Sequence, residues 1–297
     1  MSIENYTIDR WEKHLVPLST GIDLEYYAVG PEDGTRFLML HGITDGHLSW
    51  YQVAPTLAEA GYRCIMPNYR GNGGTSSPDC LPGGYIAEMI AEDMFALIEQ
   101  EGFCRGKDGK TLPIHLIGHS YGSMISQIMA LQHPELIRSV ILFASCMDCR
   151  SVPLITEMVE GTEDMPGIRY FEDPISEEYV RDWTAMTNED PEFCEAVFKH
   201  TLAMPAVAWK NLFLGLIQFY CPNVADIEAP MLVLWGTNDT MIPAPDQEKL
   251  HKALEPKAKR GEVEYVDMPG TGHNGHWDTI RSAEEYTAVI KDFLDRH

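Results

Sequence analysis

Leu112-Pro113-Ile114-His115-Leu116-Ile117-Gly118-His119-Ser120-Tyr121-Gly122-Ser123-Met124-Ile125 joins an apolar run to a helix-like run through a turn in which two glycines flank one serine. The apolar run reads as a buried strand, and residues 123–131 read as a helix. A sharp strand-to-helix reversal needs small residues where the two elements pack, because a Cβ atom at position 118 or 122 would collide there. Ser120 is left at the tip of the turn, in a strained conformation that holds its hydroxyl clear of the sheet. A serine hydroxyl is a weak nucleophile, so this placement has chemical value only beside a base. Ser120 is therefore the candidate nucleophile.

A serine on such a turn works with a carboxylate and then a histidine that follow it along the chain. Met231-Leu232-Val233-Leu234-Trp235 is a second continuous apolar run, and Gly236-Thr237-Asn238-Asp239 places a carboxylate just beyond it. Asp239 is the candidate acid, with Asp148 as its rival beyond the apolar segment 139–144. The last strand, 262–266, leads through Met268-Pro269-Gly270-Thr271-Gly272 to His273, the candidate general base, with His276 as the competitor. In these roles His273 takes the Ser120 proton and returns it to the leaving group, while Asp239 fixes the tautomer.

Acyl transfer also needs two backbone N–H groups aimed at the oxyanion. Tyr121, directly after the serine, supplies one. The apolar strand at 36–40 runs into His41-Gly42-Ile43, which makes Ile43 N–H the candidate for the second.

With these residues in place, the chain resembles the α/β-hydrolase superfamily, in the small capped branch that includes bacterial esterases, lactonases, haloperoxidase-like enzymes and C–C bond hydrolases. The resemblance runs nearly end to end. It rests on His41-Gly42 with Trp50, on Arg70-Gly71-Asn72-Gly73, on the turn at Ser120 and on His133-Pro134-Glu135. Gly236 to Asp239 and Gly272-His273 with Trp277 complete it. The resemblance implies a cofactor-free serine hydrolase. Two departures bear on chemistry. The loop Asn68-Tyr69-Arg70-Gly71-Asn72-Gly73-Gly74-Thr75 lacks the aspartate and serine that commonly bound it in the family, with little effect expected. Ile43-Thr44-Asp45-Gly46 lacks the Gly-Pro-Gly run usual in C–C bond hydrolases, which favours ester chemistry. Serine at 120, where dehalogenases and epoxide hydrolases need a carboxylate, disfavours those two reactions.

Alternating strands and helices imply a mostly parallel, doubly wound twisted sheet with helices on both faces and ligands at the carboxyl ends of strands. Extended segments are read at 12–18, 24–29, 36–40 and 62–67, and helices at 49–60 and 86–101. The alternation stops between Ala144 and Met231. Residues 1–145 and 230–297 are accordingly read as the core, and 146–229 as an inserted helical cap. The cap carries many aromatic and methionine side chains, most of them expected to pack on the core. Trp183, Met186, Trp209 and Phe213 are the candidates to face the substrate. An apolar cap over a polar triad excludes water and points to a medium-sized hydrophobic ester or lactone. The acidic stretch 157–164 reads as a solvated loop.

The 297 residues are 44% hydrophobic and suffice for one large core. A formal net charge of −23 repels phosphate backbones and anionic lipid, so neither nucleic acid nor a membrane is an expected partner. A monomer or homodimer is expected. No basic, apolar and small-residue signal pattern opens the chain, and no apolar run has spanning length. Seven cysteines, an odd number scattered among apolar neighbours, suit a reducing compartment, and the expectation is cytoplasmic. The histidines lack paired ligand spacing, so no metal is expected, and Gly71-Asn72-Gly73-Gly74 lacks the lysine and helix of a nucleotide loop.

Overall fold

The computed structural model describes residues 11–79 and 81–297, so the readings of the first nine residues and of Cys80 lie outside the described residues. Eight strands form one sheet: β1 (Glu12–Pro17), β2 (Asp23–Val29), β3 (Thr35–Leu40), β4 (Tyr62–Pro67), β5 (Ile114–His119), β6 (Ile137–Phe143), β7 (Met231–Gly236) and β8 (Val263–Met268). Their order is β1-β2-β4-β3-β5-β6-β7-β8. β1 and β2 run antiparallel at one edge, and β4 onward are parallel.

Burial follows position in the sheet. Every residue of the central β5 is buried, whereas the edge strand β1 is largely exposed. That is why β5 reads as an unbroken apolar run. Alternate side chains serve two cores. Leu38, Leu116, Val140, Leu142 and Val233 face one side. Phe37, Met39, Ile117, Ile141 and Leu234 face the other. The first side is covered by helices α2 (Ala87–Glu101), α3 (Tyr121–Gln132) and α8 (Ala244–Ala258). The second is covered by α1 (Ala54–Glu59) and α9 (Ile280–Leu294). Each aliphatic side chain buried in this way contributes about 1.5–3 kcal/mol.

Four helices lie between β6 and β7: α4 (Pro153–Glu160), α5 (Glu177–Trp183), α6 (Pro191–Leu202) and α7 (Ala206–Leu216). Asp190 caps α6 by accepting from the N–H groups of Glu192 and Phe193, and Pro191 opens that helix. Two readings need correction. The helix expected at 49–60 begins only at α1, where Pro55 tolerates the first turn but not an interior position, and His47–Trp50 is a short 3-10 turn before it. The acidic stretch 157–164 is not all loop, because α4 continues through Glu160 and buries Val159.

The register aligns the strand ends that matter. Leu40 pairs with Gly118, His119 with Phe143, Phe143 with Leu234, and Gly236 with Met268. The carboxyl ends of β3, β5, β6, β7 and β8 thus share one edge, and the loops leaving them meet there.

Candidate active site

Ser120 joins β5 to α3 with φ 50° and ψ −121°, a left-handed conformation rare for a residue with a side chain. Its N–H donates to the Phe143 carbonyl at 2.9 Å. Ala144, at the end of the neighbouring β6, is also held at positive φ, 49°. The flanking glycines are required by approach rather than by their own dihedrals. A Cβ at Gly118 would strike the Gly122 carbonyl, and one at Gly122 would strike the carbonyls of Leu40 and His41. The turn is thereby pressed against the end of β3.

His273 and Asp239 meet across the loops that leave β8 and β7. His273 Nδ1 lies 2.9 Å from Asp239 Oδ2. The other carboxylate oxygen, Oδ1, accepts from the N–H groups of Met241 at 2.8 Å and Ile242 at 2.9 Å. Burial opposes the charge on Asp239, but His273 and the two N–H groups outweigh it, and the carboxyl titrates below its ordinary value. Burial likewise opposes an imidazolium at His273. Asp239's charge and hydrogen bond prevail, so His273 titrates above the ordinary imidazole value. With Nδ1 engaged by the acid, Nε2 is the nitrogen left for proton transfer.

The rival residues are placed otherwise. Asp148 Oδ1 and Oδ2 are taken up by the Arg150 guanidinium at 2.9 and 3.1 Å, and Oδ1 also caps the turn at Arg150 N. His276 is wholly buried, and its ring packs against Trp50, Phe143, His119 and Trp277. Neither of its ring nitrogens has a hydrogen-bond partner among the described residues, and burial holds it far below the ordinary imidazole value.

Ser120, His273 and Ile43 line one cavity of about 290 Å³, together with Met124, Ile155, Val197 and Leu216. Trp183, Met186 and Phe213 line it too, from the helical insertion. Trp209 does not. It is fully buried behind that wall, stacked parallel to Phe213 at 6.0 Å and edge-on to Trp183 at 5.5 Å, so its place is that of a support rather than a contact surface. Tyr121 turns its hydroxyl away to donate to the Tyr85 carbonyl, while its N–H belongs to the first turn of α3, whose donors have no intrahelical partner. The positive end of that helix points at the same place.

Sequence reasoning missed how the loop 41–45, the candidate oxyanion loop, is held. His41 Nε2 accepts from Tyr69 N at 3.2 Å, so its Nδ1 carries the proton donated to the Gly42 carbonyl, and burial pushes this neutral ring down to about 3. Asp45, also in the cavity wall, has Oδ2 3.2 Å from Nδ1 of His119, the residue before the serine. His119 Nε2 lies 3.0 Å from the His273 carbonyl oxygen. One imidazole therefore bridges the loop after β3, the turn after β5 and the loop before His273. A Cβ at Gly42 would overlap both Asp45 Oδ2 and His119 Nδ1, which accounts for glycine there. The His119 contacts join residues 74 and 154 positions apart, and no local pattern encodes them.

No group of three or more metal-ligating side chains is found among the described residues, and no helix of the described residues is long and apolar enough to cross a membrane. The cysteine sulfurs of Cys146 and Cys149 are 3.4 Å apart as free thiols.

Comparison with known proteins agrees with this architecture. Residues 35–171 match the alpha/beta hydrolase fold family. Epoxide hydrolase 3 of Xenopus tropicalis is 24% identical over 93% of this chain and 75% of its own length. AB hydrolase superfamily protein YfhM of Bacillus subtilis is 30% identical over 93% of this chain and 96% of its own. A hydrolase from Pseudomonas aeruginosa PA01 superimposes with a TM-score of 0.77 at 18% identity, over 95% of this chain and 98% of that one. Sheet order, the turn at Ser120 and end-to-end similarity to YfhM lead to one assignment: the chain belongs to the α/β-hydrolase family.

Proposed function

We propose that this protein is a serine hydrolase that cleaves a carboxylic ester or lactone with an apolar part, through an acyl-enzyme on Ser120. The observation that carries this reading is the 2.9 Å contact of His273 Nδ1 with Asp239, with the histidine and Ser120 facing one cavity. Ser120 Oγ attacks the carbonyl carbon as His273 Nε2 takes its proton. The oxyanion forms against the N–H groups of Ile43 and Tyr121. His273 then protonates the leaving alkoxide, and a water, deprotonated by the same nitrogen, releases the acid.

The walls support the substrate class. Met124, Ile155, Val197, Phe213 and Leu216 offer apolar surface to an acyl or alcohol chain. Neither lysine nor arginine is among the described residues that line the cavity, whereas Asp45 and Asp182 are. Neutral esters suit such a site better than substrates that bear a carboxylate. Epoxide opening through an alkyl-enzyme ester would need a carboxylate at position 120, where this chain has serine. C–C bond hydrolysis and perhydrolysis use the same triad and stand behind ester cleavage, as does a non-catalytic binding role.

The test is intact-protein mass after exposure to a fluorophosphonate, on wild type and Ser120→Ala, beside turnover of nitrophenyl esters of increasing acyl length. A single adduct on wild type alone, with turnover peaking at medium chains, is expected. No adduct and no turnover would overturn the reading and favour the binding role.

A further inference from the structure

We propose that Trp183 is a positioning residue that couples the helical insertion to the oxyanion loop. The inference rests on the reading of Ile43 N–H as an oxyanion donor. Thr44, the next residue, is buried and is gripped twice from the insertion. Its hydroxyl accepts from Trp183 Nε1 at 2.7 Å, and its carbonyl lies 3.5 Å from Thr201 Oγ1, which donates to it. Trp183 ends α5 and Thr201 lies in α6, so both grips come from elements outside the sheet.

The ring itself is braced. Trp183 stands edge-on to Trp209 at 5.5 Å and to Phe213 at 5.6 Å, and both of those rings are at most 1% exposed. Trp183 also lines the catalytic cavity. One side chain thus lines the space for the substrate and, through its Nε1, holds the hydroxyl of Thr44, the residue next to the oxyanion donor. A buried indole often donates simply to avoid an unpaired N–H. That explanation is weak here, because the buried indole N–H groups of Trp50, Trp209 and Trp277 have no partner among the described residues, while the more exposed Trp183 has one. The bond to Thr44 is also short and side chain to side chain, so it restrains the loop rather than a neighbouring turn.

Trp183→Phe keeps an aromatic ring in the braced position and removes the donor, with some loss of volume. If the edge holds the loop, kcat falls about tenfold, the scale of one transition-state hydrogen bond, with KM nearly unchanged. The loss should be the same for acetyl and longer acyl esters. Thr44→Val should lose as much, Thr44→Ser should restore activity, and the double variant should be no worse than either single one. Hydrogen exchange of the segment 42–46, read by mass spectrometry, should speed up in Trp183→Phe whether or not the wild type turns over esters. A raised KM confined to long acyl chains, with unaltered kcat on acetyl esters and unaltered exchange, would make Trp183 a plain wall and overturn the proposal. Faster exchange in a protein that Ser120→Ala does not silence would instead uphold the coupling and sink the serine-hydrolase reading.

Discussion

Asp45 lines the cavity and Asp239 lies behind His273, which lines it too, and the two carboxylates are held in contrasting ways. Asp239 is fixed by its own loop, through N–H groups two and three residues further along, and by His273. Asp45 is held by His119 from a different strand, and the residue before it is held by side chains of the helical insertion. Asp239 is therefore anchored mainly within its own loop, while the loop proposed to bear the oxyanion donor is assembled from distant parts of the chain. Among the described residues, the insertion reaches the His273 loop only beyond the histidine, where Asn188 Nδ2 donates to the Trp277 carbonyl at 2.6 Å, so Asp239 itself is insulated from changes in the insertion. Long-range construction makes the candidate oxyanion loop responsive to them.

The sharpest break comes from removing the reacting groups. Ser120→Ala and His273→Ala should each lower kcat by about 10⁶-fold, because nucleophile and base act as a unit and the double variant should lose little more. Measured kcat on a nitrophenyl ester, with circular dichroism to confirm folding, checks both. A His273→Ala protein that retains a hundredth of wild-type activity would require another base.

Asp239→Asn should preserve the fold and lower kcat by about 10⁴-fold through loss of the favoured tautomer. The pH profile adds a sign. His273 must be neutral to act, so activity falls as pH falls through its pKa, which Asp239 raises above the ordinary imidazole value against the pull of burial. The acid limb of kcat/KM should therefore lie above the ordinary imidazole value in wild type and move to lower pH in Asp239→Asn. Asp148→Asn, which releases Arg150 only, should leave rate and limb in place. The opposite pattern would transfer the acid role to Asp148.

The same contrast explains what was legible in the sequence. Ser120, Asp239 and His273 each follow a strand, with a glycine within three residues, so order along the chain sufficed to nominate residues that the fold then brings to one edge. The Asp45 to His119 contact spans 74 residues and depends on the register of β3 on β5, which no local pattern encodes. The Trp183 to Thr44 bond spans 139. Trp209 was misjudged because α7 is buried nearly all round, at Ala206, Ala208, Trp209, Leu212, Phe213 and Leu216, and a helix without a polar face does not reveal which side meets a cavity. Two helices, α8 and α9, follow the last core strands. The second is legible in the sequence, from a Thr279 and Ser282 capping box and from Tyr286, Ile290 and Phe293 on one face.

Asp45 offers the smallest and most specific test of the oxyanion side. Burial works against its charge, but the His119 hydrogen bond together with the neighbouring His119, His41 and His273 imidazoles outweighs burial and holds the carboxyl below its ordinary value, so it is ionised at neutral pH. A fixed negative charge in the cavity wall disfavours a second one on the substrate, by about 1 kcal/mol or somewhat more at close range under partial screening. Asp45→Asn removes the charge and keeps an oxygen that can accept from His119. It should lower kcat on neutral esters by no more than a few-fold, at the scale of a weakened hydrogen bond, and raise relative kcat/KM for an ester with a carboxylate-tipped acyl chain about tenfold. Competition between neutral and acid-tipped nitrophenyl esters of equal length measures the ratio, and added salt should narrow the wild-type preference in the same direction. An unchanged ratio would mean that acid-tipped chains never come near Asp45, and that its role is confined to tying the oxyanion loop to His119.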